Sequence, residues 1–189
     1  MGRALHDAVA TPLRTIWTIG HSSHPIAEFV GLLRANAIEC VADVRRHAGS
    51  RKHPQFGPQA LESTLGAAGI AYLPLPALGG RRMPRADSPH GVWRNDSFRG
   101  YADYMDTPDF GAALAALEAR AAATRTALMC AEALWWRCHR ALIADALKAS
   151  GWRVLHIMGN AAPVEHPYTS AASIVGGRLE YGAAASAGD

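Results

Sequence analysis

Residues 126–147, TALMCAEALWWRCHRALIADAL, decide the fold class. The stretch opens with an apolar run at 126–129, typical of a buried strand, and closes with the helical spacing of Leu142, Ile143 and Leu147. Between them lie two cysteines, a glutamate, a histidine and two arginines. A polar cluster at the point where a buried strand passes into a helix is typical of the ligand-binding edge of an α/β protein.

The same alternation of strand and helix runs along the rest of the chain. Short apolar runs flanked by turn residues predict five strands, at residues 15–19, 40–44, 71–75, 126–129 and 153–157. Amphipathic spacing predicts helices at residues 25–36, 58–68, 108–123 and 137–150, and a long loop is predicted around residues 78–100, which lack periodicity. Together these predict a three-layer α/β protein, in which a mainly parallel sheet of about five strands carries helices on both faces.

Length and composition suit one domain. The chain has 189 residues, 49% of them hydrophobic and 19% charged. We expect a flexible N-terminus at residues 1–14, a single α/β domain at residues 15–182 and a flexible tail at residues 183–189. Three cysteines and the absence of an apolar leader favour a reducing, cytoplasmic setting, and no apolar run is long enough to cross a membrane. The net charge of +3 is compatible with an anionic partner but does not identify one.

Polar or glycine residues follow every predicted strand. Because the carboxyl ends of parallel strands lie at one edge of a sheet, these clusters are predicted to surround one pocket. The clusters are residues 20–23, 43–46, 79–82 and 130–140, and His156 with Gly159 and Asn160.

Several motifs resemble those of the family called domain of unknown function 488. They are TIGHS at 18–22, ADVR at 42–45, residues 50–51 with 54–56, Tyr72 with 78–80, FRGYADYM at 98–105, and CAE at 130–132 followed by CHR at 138–140. The resemblance extends over residues 15–165. It implies a small α/β domain with a Cys/His/Arg motif and brings no assigned reaction.

Cys138 is the candidate nucleophile. At a predicted helix start beside Arg137, His139 and Arg140, its thiol is expected to favour the thiolate. The alternative is a small buried side chain that only fills space, which is the role predicted for Cys40.

His21 and His139 are the candidate residues for proton transfer. A hydrogen-bonded structural role is the alternative for His21. Ser22, beside it, is a candidate for substrate binding, although Ser22 or Ser23 can instead cap the following helix.

Arginines from different strand ends predict an anionic ligand. Arg45, Arg51, Arg81 and Arg140 can each bind phosphate or carboxylate through the guanidinium fork. Alternatively, they pair inside the protein with acidic residues. The other candidates for substrate binding are Asp43, Gly80 and Glu132.

A metal site is a separate hypothesis. Its ligands would be Cys130, Cys138 and His139, with His21 as a fourth. The spacing of the cysteines is not one of the usual zinc spacings, and His139 is expected to point away from Cys138 on a helix. The sequence identifies no other cofactor.

The leading functional hypothesis is an enzyme that acts on a phosphorylated or nucleotide-like anion, with Cys138 as nucleophile or acid. Two alternatives stay open: a non-catalytic module that binds a nucleotide or nucleic acid, and a metal or redox site built on Cys130 and Cys138. Walker and Rossmann fingerprints are absent, which argues against ordinary NTPases and NAD enzymes.

Overall fold

The computed structural model describes residues 14–49 and 52–182. Arg51, one of the predicted anion-binding residues, lies outside the described residues. So do the predicted tail at residues 183–189 and all of the predicted flexible N-terminus except Arg14.

A six-stranded sheet forms the centre of the structure, in the order β3-β2-β4-β1-β5-β6. The first five strands are parallel to their neighbours, and β6 pairs with β5 in the antiparallel direction. The prediction of a mainly parallel sheet is therefore confirmed. The strands are β1 (Thr15–Gly20), β2 (Cys40–Asp43), β3 (Ala71–Pro74), β4 (Thr126–Cys130), β5 (Arg153–Ile157) and β6 (Val164–Glu165).

Helices cover both faces of this sheet, which makes the protein three-layered as predicted. Residues of α1 (Ile26–Ala35) and α2 (Pro58–Ala67) pack in one apolar core, and residues of α3 (Asp96–Met105), α4 (Pro108–Ala123) and α5 (Arg140–Ala149) pack in the other. Side chains alternate between the two faces along each strand. In β4, for example, Ala127 and Met129 belong to the first core, and Leu128 and Cys130 to the second.

The strand order brings three strand ends together at the middle of the sheet. From β1 the chain moves outward to β2 and β3, then returns to place β4 between β2 and β1, and finally adds β5 on the other side of β1. The direction of winding thus reverses at β4. In open α/β sheets a reversal of this kind leaves a crevice at the carboxyl ends of the adjacent strands, where ligands bind.

The structure differs from the sequence predictions at several boundaries. The loop predicted to reach residue 100 ends earlier, because α3 begins at Asp96, with the side chain of Asn95 accepting hydrogen bonds from the first-turn N–H groups. The last helix begins at Arg140 and not at residue 137, because Trp135–Arg137 forms a 3₁₀ turn. A two-stranded hairpin of β7 (Ser173–Val175) and β8 (Arg178–Glu180) was not predicted. None of the helices in the described ranges has the length and apolar character needed to cross a membrane.

Candidate active site

A cavity of about 530 Å³, the central cavity, lies at the carboxyl ends of β1, β2 and β4. Four of the five predicted clusters contribute to its walls, whereas the cluster after β5 does not: His156 is fully buried in the core, and Gly159 and Asn160 do not line the cavity. A separate cavity of about 500 Å³ beside α4, α5 and β8 contains none of the predicted side chains. The central cavity is lined by His21, Ser22, Ser23, Arg45, His47, Ala48, Gly49, His53, Arg81, Cys130, Ala131, Glu132 and Ala133.

The segments that follow β1 and β4 are joined through their backbones. The N–H of His21 donates to the carbonyl of Cys130 at 2.9 Å, and the N–H of Ser22 donates to that of Ala131 at 2.9 Å. This close approach requires glycine at position 20, since a Cβ there would overlap the carbonyl of Glu132. The two segments therefore form one wall of the cavity.

The prediction that Ser22 or Ser23 caps the next helix is wrong. Helix α1 has Pro25 at its N-cap position and no side-chain cap. Ser22 instead has the left-handed φ of 46°, and its carbonyl accepts a hydrogen bond from Nδ1 of His21 at 2.9 Å. A left-handed conformation at a residue other than glycine is strained, and such strain is concentrated at functional sites.

His21 is neutral, and both of its ring nitrogens form hydrogen bonds. Its Nδ1–H donates to the carbonyl of Ser22, its Nε2 accepts from Nη1 of Arg45 at 3.1 Å, and its ring stacks on Phe56. Burial lowers the pKa of His21 to about 4. Because the Nε2 lone pair already binds Arg45, the geometry assigns His21 to the support of that arginine.

Asp43 holds Arg45 through a two-pronged ion pair. Nε of Arg45 lies 2.8 Å from Oδ1 of Asp43, and Nη2 lies 2.6 Å from Oδ2. Arg45 also donates to the carbonyl of Phe56, and the hydroxyl of Tyr72 donates to Asp43 at 2.7 Å. This is the alternative that the sequence left open, in which an arginine pairs with an acidic residue inside the protein. Arg45 therefore lines the cavity with its charge balanced by Asp43.

Three arginines beside the central cavity, Arg46, Arg81 and Arg82, form no ion pair with a carboxylate of residues 14–49 and 52–182. Arg46 donates to the carbonyl of Arg81, and Arg82 donates to carbonyls of the preceding loop and lies over the ring of Tyr104. These arginines line a groove, the arginine groove, which shares His47 and Arg81 with the central cavity. The two surfaces also contain one carboxylate without an arginine partner in the described residues, Glu132, so that with three such arginines their net charge is positive.

Cys130, Cys138 and His139 form a compact cluster, the thiol cluster, whose ligand atoms all lie within 4.8 Å of one another. Sγ of Cys138 is 3.4 Å from Nδ1 of His139, and Nε2–H of His139 donates to the carbonyl of Val44 at 3.2 Å. The lone pair of Nδ1 therefore faces the sulfur. The expectation that His139 points away from Cys138 is wrong, because both residues precede the helix and Cys138 has extended backbone.

The two cysteines of this cluster differ in acidity. A hydrogen bond from the Cys130 thiol, supported by Arg140 and opposed by burial, lowers the pKa of Cys138 to about 6. The same hydrogen bond, together with burial, raises the pKa of Cys130 to about 12. Only Cys130 lines the central cavity. Cys40 is fully buried in β2, as predicted.

Arg140 is buried and does not line the central cavity. Nη1 donates to the hydroxyl of Thr18 at 3.3 Å, and Nη2 donates to the carbonyls of Glu132 and Ala133. Nε has no hydrogen-bond partner in the described part of the chain. Arg140 thus holds the segment after β4 through its backbone carbonyls. The side chain of Glu132 is exposed and lines the cavity, and it has no arginine partner among the described residues.

A buried polar chain continues from Thr18 into the core. The hydroxyl of Thr18 donates to Nδ1 of His156 at 2.7 Å, Nε2 of His156 to Nδ1 of His166 at 2.9 Å, and Nε2 of His166 to Asp145 at 2.9 Å. Asp145 also accepts hydrogen bonds from Thr169 and Tyr181. This chain was not predicted from the sequence, although an aspartate among the apolar residues of α5 indicates a buried polar partner.

These features define an α/β protein with a thiol cluster and uncompensated arginines at the carboxyl edge of its sheet. The chain belongs to the family described as domain of unknown function DUF488, whose model matches residues 25–147 and confirms the resemblance. The matched range contains the thiol cluster and Arg81 but begins after His21 and ends before β5. No curated protein and no solved structure matches the chain significantly.

Proposed function

We propose that this protein is an enzyme that binds a phosphorylated or nucleotide-like anion in the central cavity, with the thiol cluster as its reactive centre. One observation carries the proposal: Arg81, which forms no ion pair with any described carboxylate, and Cys130, a member of the thiol cluster, lie in the walls of the same cavity. Binding and reactive groups in one concave site are the usual arrangement of an active site.

Arg81 is the main anion-binding residue of this proposal. Its side chain is exposed, it lines both the central cavity and the arginine groove, and its backbone has the strained φ of 58°. Arg46 and Arg82 add positive charge beside it. The guanidinium fork matches two oxygens of a phosphate, which makes a phosphate-bearing substrate the best fit.

Cys138 and His139 are the reactive side chains of this proposal. The carbonyl of Val44 orients His139 so that its basic nitrogen faces the sulfur of Cys138, and the lowered pKa of Cys138 keeps a thiolate present at neutral pH. A reducing compartment, such as the cytoplasm, belongs to the proposal, because the thiols must stay reduced.

Anion binding is tested by thermal unfolding in phosphate and in chloride at matched ionic strength. At ten times its Kd, phosphate should stabilise the wild type by about 1.4 kcal/mol beyond chloride. Arg81→Ala should lose this difference, and Arg34→Ala, in the last turn of α1, should keep it. Since phosphate also stabilises proteins non-specifically, the comparison of variants is decisive. Equal phosphate effects in all three proteins would contradict the proposal.

Catalysis is tested by the release of inorganic phosphate from a panel of nucleotides and sugar phosphates. Cys138→Ser should abolish turnover, whereas Cys40→Ala, which removes a buried thiol in β2, should retain it. Turnover that persists unchanged in Cys138→Ser would contradict the assigned reactive centre. The low exposure of both cluster cysteines favours one second candidate, a non-catalytic anion-binding module. Stabilisation by phosphate with no turnover of any substrate would support that alternative.

A further inference from the structure

We infer that Cys130, Cys138 and His139 are the ligands of a zinc ion, with the fourth coordination position directed at the central cavity. The inference deepens the proposed function, because it assigns a metal to the reactive centre of that same site. It rests on the spacing, orientation and accessibility of the three side chains.

The distance between two of the donor atoms matches tetrahedral zinc, and the third donor atom lies close to both. With Zn–S bonds of about 2.3 Å and Zn–N bonds of about 2.05 Å, a tetrahedral angle separates sulfur from nitrogen by about 3.6 Å. Sγ of Cys138 and Nδ1 of His139 are 3.4 Å apart, and all three donor atoms lie within 4.8 Å of one another. Two thiolates and one imidazole are a donor set that favours zinc among the common divalent metals.

His139 is oriented as zinc-bound histidines are. A ligating imidazole generally donates its second N–H to a carbonyl or carboxylate, and here Nε2–H donates to the carbonyl of Val44. The ring also lies directly against Gly80, where a Cβ would stand only 2.7 Å from Nδ1. The nitrogen that would bind the metal is therefore already directed at the sulfurs.

Accessibility favours a ligand over a nucleophile. Cys138 is 6% exposed and does not line the central cavity, whereas Cys130 does. A nucleophile must touch its substrate, but a metal ligand need only touch the metal, so that with zinc bound the metal, and not the Cys138 thiolate of the proposed function, would be the group that meets the substrate. A zinc ion among the three donor atoms would lie next to Cys130 at the cavity wall, where a water or a substrate oxygen can reach it.

The protein supplies three ligands to this cluster. In residues 14–49 and 52–182 no fourth histidine, cysteine or carboxylate belongs to the group, and His21 has both ring nitrogens engaged by Ser22 and Arg45. Three protein ligands with one position left for water or substrate are the pattern of catalytic zinc, whereas structural zinc has four. The nearby arginines would then place an anion beside the metal.

Zinc binding is tested on the full chain, purified under reducing conditions and analysed for metal without substrate. We expect one zinc per chain, which a chelator removes and added zinc restores. Cobalt in place of zinc should give the near-ultraviolet charge-transfer band of thiolate ligands. Cys138→Ser and His139→Asn each remove a ligand and should weaken zinc binding by more than the roughly 10- to 100-fold that loss of a hydrogen-bond partner of a ligand costs. Cys40→Ala should bind zinc as the wild type does.

A pair of glycine variants tests the geometry without removing a ligand. Gly80→Ala should displace the His139 ring and weaken zinc binding at least tenfold. Gly91→Ala, in the same loop, adds its Cβ to open space and should leave the affinity unchanged. Circular dichroism confirms that each variant is folded before its affinity is compared.

The outcomes separate this inference from the proposed function. A folded wild type that binds neither zinc nor cobalt, or a Cys138→Ser variant with wild-type zinc affinity, overturns the zinc site. Absent zinc binding with intact phosphate stabilisation through Arg81 overturns the zinc site and leaves the anion site in place. Zinc binding without phosphate stabilisation supports the metal site and contradicts the proposed substrate class.

Discussion

Acid should destabilise this protein through His156, the middle member of the buried polar chain. Burial, with the neighbouring His166 and Arg140, lowers the pKa of His156 from 6.5 to about 3. Below pH 6.5 the unfolded chain therefore binds a proton that the folded chain excludes until about pH 3. The free energy of unfolding falls as the pH falls through this window, and the calculated loss between pH 7 and pH 5 is about 2 kcal/mol.

The variant His156→Gln isolates this contribution. Glutamine does not titrate, yet its amide can accept from Thr18 and donate to His166. Between pH 7 and pH 5 the wild type should therefore lose about 2 kcal/mol more than the variant in urea unfolding. A chelator removes any metal from the comparison, and equal m-values make the free energies comparable. A difference between the two proteins that is the same at both pH values would refute the reasoning.

Three further predictions concern stability. Gly20→Ala should prevent folding or strongly destabilise the protein, because the added Cβ overlaps the Glu132 carbonyl. The control Gly31→Ala, whose Cβ meets open space, should stabilise the protein by about 0.5–1 kcal/mol in thermal unfolding. Asp145→Asn should lower the free energy of unfolding in urea by about 2–4 kcal/mol, because an oxygen that accepts hydrogen bonds is replaced by an NH₂ group that donates them. A loss below about 0.5 kcal/mol would show that these hydrogen bonds do not stabilise the protein. Arg140→Met should lower the free energy of unfolding by about 2–4 kcal/mol in the same assay, because two part-buried carbonyls lose their donor, and wild-type stability would disprove that role.

The central sheet could be predicted because its strands are short apolar runs between turn residues, and a parallel sheet brings their carboxyl ends to one edge. Helix α3 could not be predicted, because its sequence contains Gly100 and several aromatic residues, which have low helix propensity. Tertiary packing decides this segment: Tyr101 is fully buried and its hydroxyl donates to the carbonyl of Leu78. Strands β6, β7 and β8 have two or three residues each, too few for a period to be seen.

Within the site, the convergence of clusters could be predicted, but individual contacts could not. The choice of Arg45 between Asp43 and a ligand depends on side-chain conformations that no spacing encodes. The approach of His139 to Cys138 depends on a helix boundary, and a shift of three residues in that boundary reverses the expected direction of the ring. The burial of Arg140 follows from the path of the segment after β4, which only the folded structure defines.

The position of β5 determines how much chain is needed for a stable folding unit. The family match ends at residue 147, but β5 begins at Arg153 and pairs with β1 from Thr15 to Ile19. A chain ending at residue 147 would leave the apolar β1 with a row of unpaired N–H and C=O groups open to solvent. An unpaired strand edge of this kind can pair with another molecule, so the truncated protein should aggregate. In the longer chain β5 covers this edge of β1.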